Sequence, residues 1–141
     1  MAMGTVQAVN ILTGTPEKTK YIEVGVTVEI WRAALTTALA TADIINGPVL
    51  PAGTYMTGLT VDWDPMGAGG TFEAGRAGAL GAFIATGNTT PALGGVVNAN
   101  VAGTIGFTAT TDTQIVLTMT GTPSPATAGN VRIALSYTAS P

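Results

Sequence analysis

Only 9% of this 141-residue chain is charged, against roughly 25% in an ordinary soluble domain, while 46% is hydrophobic. Five basic and eight acidic residues leave a net charge of −3, and histidine and cysteine are both absent. Those absences exclude a disulfide framework, thiolate chemistry, Cys/His zinc sites and a histidine general base. The length suits one compact domain that is stable by packing alone.

A soluble protein usually covers its outside with Lys, Arg, Glu and Asp. This one offers Thr, Gly, Ala and Asn, a weakly hydrated surface with little charge to keep copies apart. Much of the exterior is therefore expected to be covered in the working state, as in an assembly component. The cations Lys18, Lys20, Arg32, Arg76 and Arg132 are scattered, which argues against nucleic-acid binding.

At the start, Met1–Thr15 has neither a basic region nor a sustained apolar run, so no signal peptide and cytosolic synthesis are expected. Residues 1–18 lack a clear period and read as an extended arm ahead of a domain over 19–141, with Val6–Leu12 a candidate strand. Tyr21–Ile30 alternates, with Ile22, Val24, Val26, Val28 and Ile30 expected inward and Glu23, Gly25, Thr27 and Glu29 outward. The run 33–45 falls short of the roughly 18 apolar residues of a membrane span, so no membrane partner is expected. Ala33–Ala42 and Ala79–Thr86 are the stretches that allow a helical turn or two.

Asp43–Leu50 reads as a strand closed by Leu50-Pro51-Ala52-Gly53 onto Thr54–Trp63, which turns Tyr55, Leu59, Val61 and Trp63 inward. Thr71–Arg76 follows the Gly67–Gly70 turn. Gly103–Thr108 is expected to pair with Thr113–Thr120, whose Ile115, Leu117 and Met119 point inward. Gly121–Gly129, with two prolines and two glycines, is a loop. Asn130–Thr138 turns Val131, Ile133, Leu135 and Tyr137 inward. About seven or eight short strands at this spacing suggest an all-β sandwich, and no repeat of the solenoid kind is found.

Few residues invite chemistry. Asp62 and Asp64 lie about 7 Å apart on one face of an extended strand. They could bind calcium or act as a glycosidase acid and base, but the preferred reading is a strand end before Pro65, with Asp64 holding the turn through its own backbone. Trp31 and Trp63 could stack a sugar; Trp63 reads better as core with its N–H bonded at the edge, and Trp31 stays open. Gly67-Ala68-Gly69-Gly70 lacks the Gly-Lys-Ser/Thr ending of a phosphate loop. Ser124, Ser136 and Ser140 have no histidine for a triad, and only Lys18 and Lys20 for a Ser–Lys pair. Arg76 could anchor a neighbour's carboxylate or be a solvated strand end. No catalytic residue, metal ligand or cofactor site is assigned.

Ala42-Asp43-Ile44-Ile45, then Val49-Leu50-Pro51-Ala52-Gly53-Thr54, resembles small virion structural proteins of tailed bacteriophages. Met56–Asp64 resembles their V-x-x-x-x-V-D-x-D strand, and Thr71–Gly75 their strand after a glycine-rich turn. Ala82-Phe83-Ile84-Ala85 and a closing hairpin of Ile115–Thr120 with Asn130–Tyr137 also fit, so the likeness covers residues 40–138. The resemblance implies a jelly-roll capsid decoration (cement) protein. Its expected partners are the major capsid protein and itself as a dimer or trimer, on the virion capsid surface after assembly in the host cytoplasm. Residues 1–18 could order on the shell, and Gly87–Gly95 and Gly121–Gly129 are candidate docking loops. The alternatives are a tail- or head-fibre protein, a carbohydrate-binding module using Trp31, Trp63 and Asp62, and, last, a glycosidase.

Overall fold

The computed structural model describes residues 11–16, 21–23, 25–35, 39–91, 93–123 and 128–139. The strands among them are β1 (Ile11–Thr13), β2 (Thr15–Pro16), β3 (Tyr21–Glu23), β4 (Val26–Ala34), β5 (Ile44–Leu50), β6 (Thr54–Trp63), β7 (Thr71–Arg76), β8 (Ala79–Thr89), β9 (Gly95–Asn98), β10 (Thr113–Gly121) and β11 (Asn130–Ala139). They form a five-stranded sheet, β1-β5-β10-β7-β8, and a six-stranded sheet, β2-β4-β11-β6-β9 with β3 beside β4. All pairings are antiparallel except β1 with β5.

The pairings nest. β4 pairs with β11 and β5 with β10, while β6 pairs with β9 and β7 with β8. First meets last and the middle strands meet each other, as in one long hairpin wrapped into two sheets. This is the jelly-roll-like sandwich that the residues and the resemblance led us to expect. Between the sheets lie Ile45, Leu50, Met56, Phe72, Phe83, Ile115, Leu117, Ile133 and Leu135, all at most 2% exposed. Each such side chain contributes about 1.5–3 kcal/mol of transfer free energy, which explains how so little charge still yields a stable fold.

The nested path overturns three expected hairpins. Leu50-Pro51-Ala52-Gly53 is a corner that carries the chain from one sheet to the other, with Gly53 left-handed (φ 80°) and the Thr54 N–H on the Pro51 carbonyl at 3.3 Å. Gly103–Thr108 is no strand beside β10. It lies along the start of β6 instead, through Gly106 N–H to Met56 O (2.7 Å) and Met56 N–H to Phe107 O (2.9 Å). β10 and β11 belong to opposite sheets, so they form no closing hairpin.

Other local expectations change too. Ala79–Thr86 is strand throughout, and Ala33 and Ala34 end β4; residues 36–38 lie outside the described residues. Tyr21–Ile30 breaks at Gly25 (φ 79°) into the β3–β4 hairpin. In β6 a register irregularity opposite Ser136 and Tyr137 reverses the alternation, so Met56 is buried in place of Tyr55. Within the segment 1–18, β1 adds to β5 and β2 to β4, so residues 11–16 close one edge of both sheets. Residues 1–10 and 17–18 lie outside the described residues.

Candidate functional site

β6 ends at Asp62-Trp63 with Asp64 just beyond it, and neighbouring β11 supplies the groups that occupy the two carboxylates. The register sets Arg132 opposite Asp62. Its Nη1 lies 3.5 Å from Asp64 Oδ1 and 3.8 Å from Asp62 Oδ2. Asp64 Oδ2 also accepts the backbone N–H (2.8 Å) and the side-chain amide (3.1 Å) of Asn130. The Asn130 backbone N–H foremost, then its amide, hold the Asp64 carboxyl below the usual carboxylate range against the opposing effect of burial, with Arg132 adding less than either. Asp64 therefore fixes the entry of β11, and it does so across the sheet rather than through its own backbone as expected. Among the described residues, no group of three or more acidic side chains is placed to hold a metal.

The tryptophans make no platform. Trp63 is 2% exposed and tilts against Phe72 at 4.9 Å, and its Nε1 lacks the expected hydrogen-bond partner. Trp31 is half-buried on β4, where its Nε1 donates to Glu29 Oε1 at 3.3 Å. Glu29 Oε2 accepts the Tyr137 hydroxyl at 2.6 Å. Burial first, then Glu29, pushes the Tyr137 hydroxyl above its ordinary range. Residue-by-residue reading missed this trio because its members come from β4 and β11, and Glu29 sat on the supposedly outer side.

Asp43, from the Ala42-Asp43-Ile44-Ile45 signature, is 1% exposed and accepts the Ala40 N–H at 2.9 Å. Its backbone pairs with Met119, and Ala42 is left-handed (φ 77°). The signature thus builds a turn. Gly67–Gly70 is likewise structural, with the Gly70 carbonyl accepting the Thr90 N–H at 2.9 Å. Ser136 accepts the Thr57 hydroxyl at 2.9 Å; Ser124, Ser140, Lys18 and Lys20 lie outside the described residues.

Both candidate loops reach the Asp64 end of the sandwich. A Cβ on Gly129 would lie 3.1 Å from Asp64 Cβ, one on Gly94 2.9 Å from the Trp63 carbonyl, and one on Gly70 2.7 Å from both Pro123 and Thr90. Gly87–Gly95 is partly strand, since β8 runs to Thr89, and it carries Leu93 at 90% exposure. In Gly121–Gly129, residues 124–127 lie outside the described residues, and Thr122 accepts the Thr41 N–H at 2.9 Å. This end brings together Asp64, three turns and an exposed leucine. Arg76 stands at the opposite end of the sandwich, where β7 turns into β8.

Neither a protein-family model nor a curated protein sequence matches the chain. Solved structures do. A chain in the capsid of Ralstonia phage GP4 is similar with a TM-score of 0.75 and 21% identity, over 95% of this chain and 99% of that one. A chain in the capsid asymmetric unit of cyanophage Pam1 is similar with a TM-score of 0.69 and 20% identity, over 89% of this chain and 94% of that one. At these identities the likeness is one of fold, and it spans nearly the whole of each partner.

Proposed function

We propose that this chain is a structural protein of a bacteriophage head, a decoration or cement protein that binds the shell of the major capsid protein. The observation that carries this reading is the near end-to-end fold match to chains in two phage capsids. The match runs along nearly the full length of both chains in each comparison, so it covers the sandwich as a whole and not one part of it.

The surface supports the same reading. Leu93, Val96 and Ile105 are 90%, 58% and 63% exposed, on a chain of which only 9% is charged. Val26, Val28 and Ile30 add a half-buried apolar row on the outer side of the six-stranded sheet. Such surfaces suit many weak, shape-matched contacts repeated over a lattice, with avidity from self-association as a dimer or trimer. The role is non-enzymatic: Asp62 and Asp64 are engaged by Arg132 and Asn130, and Trp63 is out of reach of any sugar. No cofactor, nucleic acid or membrane enters it, and the protein resides on the virion.

Co-sedimentation with purified shells tests this. Saturable binding by the wild-type chain, weakened by Leu93→Ser at unchanged thermal stability, is the expected result. Failure to bind shells, with binding to isolated tails or fibres or to a glycan array, would replace the assignment with one of its alternatives.

A further inference from the structure

A second feature lies at the end of the sandwich away from Leu93. The β7–β8 turn, the loop leading into β10, and the outer side of β5 and β10 line an open pocket of about 390 Å³. Arg76, Asn46, Gln114, Asp112, Thr111 and Thr113 contribute to its wall. The Arg76 guanidinium lies 5.2 Å from the centre of the Phe107 ring, which meets buried Phe83 edge-on at 5.2 Å. A cation over an aromatic face is attracted by the ring's quadrupole.

What this arginine lacks is an anion. Its Nε is buried with no hydrogen-bond acceptor, and none of the ion pairs among the described residues includes it. An unsatisfied buried donor is costly, and a carboxylate can satisfy an arginine's fork with two parallel hydrogen bonds. The acid in the pocket, Asp112, gives one oxygen to the Ala52 N–H at 2.9 Å and so ties the Pro51–Gly53 corner to the loop before β10. Gln114 donates to the Gly47 carbonyl at 3.1 Å, which holds its amide at the wall.

We propose that this pocket is the seat of one carboxylate side chain, an Asp or Glu presented by a protein partner, gripped by the Arg76 guanidinium with the Asn46 amide beside it. The charge pattern selects for that ligand. A single arginine in a wall that also carries Asp112, on a chain of net charge −3, suits one carboxylate and not a polyanion such as nucleic acid. The identity of the partner as a shell subunit rests on the function proposed above; the carboxylate chemistry does not.

Two arms separate these. In the first, the full chain labelled with ¹⁵N is titrated with glutarate and, at equal ionic strength, with inorganic phosphate. Glutarate is expected to shift the Arg76 Nε–H and the Asn46 and Gln114 amide signals saturably. Arg76→Gln is expected to weaken this about tenfold or more, and Arg76→Lys or Asn46→Ala less, each with an otherwise native spectrum. No saturable shift, a shift that survives Arg76→Gln, or tighter binding of phosphate overturns the carboxylate seat. In the second arm, wild type and Arg76→Gln are compared for shell binding. A loss on Arg76→Gln supports the shell subunit as partner, and full retention overturns that assignment. A wild-type chain that titrates glutarate yet ignores shells keeps the seat and removes the shell-binding function.

Discussion

β4 and β11 lie side by side in one sheet, both alternate with period two, and they face opposite ways. On β11 the apolar set Val131, Ile133, Leu135 and Tyr137 is buried. On β4 the residues opposite that set are Ala33, Trp31, Glu29 and Thr27, so the valines and Ile30 of β4 stand on the outer side. Alternation declares a strand without saying which side meets the core. β11 has a strand on either side and the opposite sheet above it. β4 lies toward the sheet edge, where Glu29 satisfies the Trp31 N–H and the Tyr137 hydroxyl and a polar side can turn inward. An apolar row left outside is what a surface destined to be covered would show.

Paired truncations test that inversion, and the largest effect is expected from them. Ile133→Ala removes a fully enclosed side chain and should destabilise by about 2–5 kcal/mol in denaturant unfolding. Ile30→Ala, one strand away, should cost about 1 kcal/mol or less. Comparable losses at both would mean that the apolar side of β4 is core after all.

A middle-sized effect belongs to Glu29. Glu29→Ala strands the Tyr137 hydroxyl and Trp31 N–H and should cost about 1.5–3 kcal/mol, with Glu29→Gln recovering part of it. If Glu29 pointed to solvent, as its parity in the sequence suggests, neither change would move the midpoint beyond error.

The smallest effects are in the pH profile, and they separate the two ends of β11. The lowered Asp64 carboxyl contributes stability that is complete above its ordinary value near 3.8 and is lost as pH falls through its folded value. The raised Tyr137 hydroxyl acts in the other direction. Its contribution is complete below the ordinary value of 10.0 and is lost as pH rises toward its folded value. Asp64→Asn should flatten the acid limb alone and Tyr137→Phe the alkaline limb alone, read from thermal midpoints across pH. Crossed or absent effects would contradict the contacts assigned to these groups.

Much of the strand content was legible. β5, β6 and β7, and all but the last residue of β10 and β11, follow from β-rich runs bounded by Gly and Pro. The inward sets of β10 and β11 follow because each is a central strand with a core side and an outer side. β8 was not legible, since Ala79–Thr89 is rich in Ala and Gly and its pairing with β7 is irregular at two places. β9, at 4 residues, is too short to carry a period. Topology was hidden for a different reason: a nested path joins residues far apart, and turn chemistry at Pro51–Gly53 suits a corner as well as a hairpin. The candidate sites follow the same rule. That Asp62 and Asp64 share a face is local; that Arg132 joins them depends on the β6–β11 register.

The central claim is that this bland sandwich is completed by a phage shell. Quantitative mass spectrometry of purified virions tests it most directly, by counting this chain against the major shell protein. The account predicts comparable copy numbers; absence from virions, or a few copies per particle, would contradict it.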